Sequence, residues 1–171
     1  MNRTLGVDLG QASDPTALAV AERTPVRADI RHLERVPLGT PYPRVVERIG
    51  AVMVAGEISH LVVDGTGVGR AVVDMLESAG LSPLVVFITA GAKVRREGNR
   101  VWAPKRLLLR PLITRLETGA MRIAEGLADA PALVRELNAF RRTLGVGGHI
   151  AFEGDGQHDD LIVAAALALF S

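Results

Sequence analysis

The sequence contains no cysteine, which removes disulfides, thiolate metal sites and cysteine nucleophiles together. Any metal has to be held by oxygen or histidine. Aromatic residues make up 4% of the chain, so a core has to be assembled from Val, Leu, Ile and Ala. No apolar run is as long as a membrane span; the last, "LIVAAALALF", is about half of one and directly follows two acids, the pattern of a buried helix. The opening "MNRTLGVDLGQASDP" has too short an apolar run for a secretory signal, and an acid interrupts it, so a cytoplasmic protein with no membrane contact is expected. The pattern GxxxxGK[ST] is absent and "GTGVG" is not GxGxxG, which argues against a bound nucleotide or dinucleotide.

What is present describes one globular unit. At 171 residues, 48% hydrophobic and 23% charged, the chain fits a single domain over 1–171 with a core of ordinary size. Its net charge of +1 hides an asymmetry. Residues 91–110, "GAKVRREGNRVWAPKRLLLR", carry Lys93, Arg95, Arg96, Arg100, Lys105, Arg106 and Arg110 against Glu97, a local +6 that leaves −5 for the rest. A basic segment on an acidic body suits a polyanion, and it equally suits a solvated loop and helix face.

Pattern and turn signals place the elements. "TLGVDL", "TALAVAER" and "RADIRHLERVPL" read as strands joined by short turns, hence an antiparallel meander. "PYPRVVERIGAVMVAGEI" has helical spacing, "HLVVDG" is a short buried strand, "TGVGRAVVDMLESAG" a helix ended by Gly80, and "SPLVVFITAG" a fifth strand. A small hairpin is expected around Gly98 and Asn99, a helix from Pro104, a short strand in "GAMRIAE" and a helix capped by Asp129. "HIAFEGDGQ" reads as a strand and turn leading to the last helix. Three antiparallel strands followed by two strand–helix units make a mixed sheet covered by helices.

Two acids end predicted buried strands, Asp8 in "LGVDLG" and Asp64 in "LVVDGTG". Either alone is compatible with a turn aspartate. Together they are more informative, because the first and fourth strands of this order can lie parallel and adjacent, at the edge where open α/β sheets bind ligands. Neighbouring carboxylates repel unless a cation sits between them, and an all-oxygen site suits Mg²⁺ or Mn²⁺. With a third carboxylate such a pair can hold two ions roughly 4 Å apart, the arrangement for phosphodiester hydrolysis.

The doublet Asp159–Asp160 before the last apolar run offers that third acid; the alternative is a helix cap reinforced by the dipole. With a helix starting near His158 and a buried face centred on Leu161, Ile162, Ala165 and Leu169, Asp159 lies roughly 110° from the centre and Asp160 roughly 150°. Asp159 is therefore expected to border the sheet, and Asp160 to point further outward. Asp14, six residues after Asp8, either initiates the turn before Pro15 or folds back toward the site.

In this order and at these separations, "GVDLGQASDPTALAV", "LVVDGTGVGRAVVDML" and "GQHDDLIVAAALALF" resemble the nuclease domain of the phage large terminase. The resemblance covers nearly the whole chain, including "APKRLLLRPLITRLETGAMRIAE". It implies an RNase H-like α/β fold, a five-stranded mixed sheet of order 3-2-1-4-5 flanked by helices, and a two-metal endonuclease that cuts concatemeric DNA during packaging. It implies Asp8, Asp64 and Asp159 as catalytic metal ligands, with Asp160 and Asp14 as auxiliaries and two Mg²⁺ or Mn²⁺ ions. Double-stranded DNA would meet Lys93, Arg95, Arg96, Arg100, Lys105 and Arg106. Partners implied are a terminase ATPase domain, a small terminase subunit and a portal, in the cytoplasm of an infected bacterium. The rivals are a Holliday-junction resolvase or another RNase H-like nuclease, and a non-catalytic DNA-binding module of the same fold. Actin-like and sugar-kinase ATPases also open on a "GVDLG"-like turn, but they need two such domains.

Overall fold

The computed structural model describes residues 2–10, 14–67, 69–144 and 158–170. A meander of β1 (Asn2–Asp8), β2 (Ala17–Arg23) and β3 (Ala28–Arg35) leads into α1 (Tyr42–Ala55), β4 (His60–Asp64), α2 (Gly69–Ser78) and β5 (Leu84–Thr89). Then come the hairpin of β6 (Arg95–Glu97) and β7 (Arg100–Pro104), α3 (Lys105–Glu117), β8 (Met121–Ile123), α4 (Ala130–Leu144) and α5 (Asp160–Leu169). The strand and turn expected over 149–157 lie outside the described residues.

These strands form one mixed sheet in the order β6-β7-β5-β4-β1-β2-β3-β8. Its centre is the expected order 3-2-1-4-5, with short turns making β1, β2 and β3 antiparallel and helical crossovers making β1, β4 and β5 parallel. Among the described residues the expected count of five strands is corrected to eight. The hairpin joins one edge through β7, parallel to β5, and the three-residue β8 joins the other, parallel to β3. Both additions are short segments outside the regular strand–helix alternation, so the expected hairpin and short strand carry no local sign that they join the sheet.

Alternation along the strands divides the core into two layers. Leu5, Val7, Leu18, Val20 and Val63 face α1 and α2, whose Val45, Ile49, Val72 and Leu76 recur at helical spacing. Ala17, Ala19, Ala21, Val62, Val86 and Val101 face α3, α4 and α5. All ten residues of α5 are buried, and each of its Leu, Ile and Val side chains contributes about 1.5–3 kcal/mol by leaving water. No helix among the described residues is long and apolar enough to cross a membrane.

The composition of α5 follows from how close it lies to β1. A Cβ placed on Gly6 would sit 2.1 Å from the Ala164 carbonyl oxygen and 2.4 Å from the Ala168 nitrogen, so strand and helix meet backbone to backbone. At the far end Arg23, paired with Asn2, donates from Nη1 to the Leu169 carbonyl at 3.2 Å. The helix therefore runs antiparallel to β1, and its amino end reaches the edge where β1 ends.

Candidate active site at the carboxyl ends of β1 and β4

Parallel β1, β4, β5 and β7 all finish at one edge of the sheet. Val7 stands opposite Val63, so Asp8 falls beside Asp64 at the next position. Asp8 also pairs across to Ala17 and Ala17 to Arg35, giving one row that reads Asp64, Asp8, Ala17, Arg35. Alternation turns this row toward the α5 layer, where Ala17 is packed.

Burial pushes the Asp8 carboxyl well above the usual carboxylate range, and the charges of Asp64, Asp159 and Asp160 push it further, against a smaller pull from Lys105. Asp64 is raised as well, chiefly by burial. Its Oδ1 accepts the Thr66 N–H at 2.7 Å, and the Thr66 hydroxyl oxygen accepts the Ile88 N–H at 2.7 Å, which ties the loop after β4 to β5. Gly65 is needed beside Asp64, because a Cβ there would lie 2.6 Å from Val85 Cγ1 and 2.9 Å from Phe87 Cε1.

The doublet divides differently from the helical-wheel expectation. Helix α5 starts at Asp160, with Asp159 at the cap position. The Asp159 side chain is 43% exposed and pairs through Oδ2 with the Lys105 ammonium. Asp160, expected to point outward, is only 5% exposed. The wheel assumed one buried face, whereas α5 is enclosed on every side, and Arg35 supplies the cation that a buried acid requires. Arg35 Nε lies 2.6 Å from Asp160 Oδ2 and Nη2 lies 3.2 Å from Oδ1. Asp14 is exposed on the same side of the molecule, 3.9 Å from His158 Nδ1.

A set of residues not singled out in the sequence locks the amino end of α5. Glu136 accepts the Ile162 N–H at 3.0 Å and pairs with Arg35 Nη2, while Asp129 Oδ2 accepts the Arg35 backbone N–H at 2.9 Å. Burial, opposed by that Ile162 hydrogen bond and helped by the nearby Asp160, pushes Glu136 up to about 7. Glu136 falls between Leu133 and Leu137 on the apolar stripe of α4, and Arg35 shares strand parity with Leu33; those placements were the available signals.

Oxygen donors, two of them on adjacent buried strand ends whose negative charges oppose one another, suit a hard divalent cation. Among the described residues no three acids or imidazoles are gathered at ligand spacing. Lys105 holds Asp159, Arg35 holds Asp160 and the Thr66 N–H holds Asp64.

Solved structures with the same architecture include the large terminase nuclease from thermophilic phage G20c, with a TM-score of 0.70, 22% identity and coverage of 98% of this chain and 80% of that one. The large terminase from a second thermophilic bacteriophage matches with a TM-score of 0.67 and 9% identity over 98% of this chain, which spans 39% of that longer chain. The human cytomegalovirus terminase nuclease domain matches with a TM-score of 0.59, 18% identity, 98% of this chain and 82% of that one.

The chain has the fold of the large terminase nuclease. No protein-family model and no curated protein matches the sequence. In this terminase-nuclease fold the basic segment forms the β6–β7 edge and the start of α3. Lys93, Arg95, Arg96 and Arg106 are exposed, and Arg100 and Lys105 are partly buried. Phe87, Trp102 and Arg95 are successive cross-strand partners. Phe87 stacks on Trp102 with ring centroids 5.3 Å apart, and the Arg95 guanidinium lies 4.0 Å from the Trp102 ring centre.

Proposed function

We propose that this chain is the nuclease domain of a large terminase, a metal-dependent DNA endonuclease that cuts concatemeric phage DNA during packaging. The observation that supports the reading is the juxtaposition of Asp8 and Asp64 at the ends of adjacent parallel strands, with Asp159, at the start of α5, close enough for its charge to act on both. Structures of the G20c nuclease with bound magnesium, zinc and cobalt support a divalent ion in this fold.

Asp8 would bridge two Mg²⁺ or Mn²⁺ ions, with Asp64 and Asp159 each holding one and Asp14 approaching from the rim. Such ions lower the pKa of an attacking water and stabilise the departing oxygen. Asp160, expected as an auxiliary ligand, has a positioning role in this reading, because Arg35 holds both of its oxygens and so sets the rotation of α5 and the aim of Asp159. Lys93, Arg95, Arg96, Arg100 and Arg106 would hold the phosphate backbone of double-stranded DNA with little sequence preference. The terminase ATPase domain, the small subunit and the portal would present that DNA in the cytoplasm of the infected host.

The test is incubation of supercoiled plasmid with Mn²⁺ or Mg²⁺, with and without chelator, for wild type and Asp64→Ala. The nuclease reading expects metal-dependent nicking that Asp64→Ala abolishes while DNA binding persists. Binding without cleavage by the wild type at high protein concentration would identify a non-catalytic DNA-binding module instead.

A further inference from the structure

We infer that Lys105 is the site's built-in cation, occupying the Asp159 carboxylate until a divalent ion displaces it. The inference rests on the two-metal reading and adds a metal-exchange step to it.

Lys105 reaches this position through topology. It is the first residue of α3, directly after the last residue of β7, and β7 ends at the same edge as β1 and β4. Its ammonium pairs with Asp159 Oδ2, and its charge also acts on Asp8 and Asp64. One cation thus serves three carboxylates.

Local rules do not explain a lysine here. The first turn of α3 contains no acid and opens with Lys105 and Arg106, against the preference of a helix amino end for negative charge. Sequences break such a rule where function requires it. Asp159 is similarly unspent on its own helix, since it makes no side-chain capping bond at the start of α5. Each residue forgoes its usual local role, and the two meet across the site.

An ammonium and a divalent ion cannot share one carboxylate oxygen at contact distance, because two cations that close repel. Loading of Asp159 through Oδ2 therefore requires Lys105 to leave. Its four-carbon stem allows it to swing away, and the nearest new anion would be the phosphate of bound DNA. In this scheme the charge of the ion-free site is partly offset from within, and the lysine reaches the phosphate only when the metal is in place.

The experiment is calorimetric titration of Mn²⁺ into the whole chain without DNA, comparing wild type with Lys105→Met and Lys105→Arg. Methionine keeps an apolar stem and removes the competing charge, so Lys105→Met is expected to bind Mn²⁺ about tenfold tighter or more. Lys105→Arg retains the charge and is expected to stay near wild type. Thermal melts of the same proteins give a second reading: Lys105→Met melts below wild type without metal and gains more from added Mn²⁺. Mn²⁺ binding of equal strength to wild type and Lys105→Met would overturn the exchange while leaving the metal site standing. Failure of all three proteins to bind Mn²⁺ would overturn both the exchange and the nuclease reading.

Discussion

Arg35 holds Asp160 through both carboxylate oxygens, at 2.6 and 3.2 Å, and so anchors the amino end of α5 to the end of β3. The same guanidinium pairs with Glu136, and removing it leaves two buried acids without their cation. Arg35→Leu is expected to cost about 3–5 kcal/mol of stability in urea unfolding. Asp159→Asn, at a half-exposed pair, is expected to stay within about 1 kcal/mol of wild type. Equal effects of the two substitutions would remove the anchoring role from Arg35.

Stability and activity are expected to move in opposite directions at Asp8. Its carboxyl is raised by burial and by three neighbouring acids, so its ionised form opposes folding at neutral pH. Asp8→Asn should raise the metal-free melting temperature while lowering metal-dependent nicking about 100-fold, if Asp8 is the metal ligand that the nuclease reading makes it. An Asp8→Asn variant that melts below wild type in chelator would sink the repulsion account.

Glu136 is expected to give the metal-free protein a pH-dependent stability. With a carboxyl pushed up to about 7 from an ordinary value of 4.5, the folded state binds more protons than the unfolded one between those limits. Stability is therefore expected to fall as pH rises through that window, and Asp8 and Asp64 act in the same sense. Glu136→Gln keeps an acceptor for the Ile162 N–H and removes the titration, so its melting temperature should decline less over the same range. Parallel curves for the two proteins would show that Glu136 does not titrate there.

The hairpin prediction concerns salt. If Arg95 and Arg96 each neutralise one phosphate, replacing both with alanine should reduce the slope of log K against log salt by about 1.8. It should also weaken binding similarly across sequences. Trp102, the chain's single tryptophan, lies under Arg95, so its emission provides the titration signal. An unchanged slope would place the DNA elsewhere.

Much of this architecture is legible in the sequence. The central strand order follows from turn lengths and helical crossovers, and the end of each apolar run located Asp8 and Asp64 at one edge. The two edge additions were legible as a hairpin and a short strand, but not as members of the sheet, because edge pairing leaves no mark in a three-residue segment. Asp160 was misdirected because periodicity assigns a face only to a helix that has one, and α5 is buried all round. Arg35 and Glu136 each sat on a core-facing position, yet three elements separated by most of the chain had to converge before their partnership had meaning.

Gly6 extends this dependence on convergence to a single atom. A hydrogen in place of a methyl group lets the backbones of β1 and α5 touch, and that contact is the depth stop against which the whole helix rests. The strand carries one acid two residues later, and the helix carries another at its tip. The gap that a metal ion would have to span is thus gauged some distance away from it, by a residue that has no side chain and no chemistry of its own.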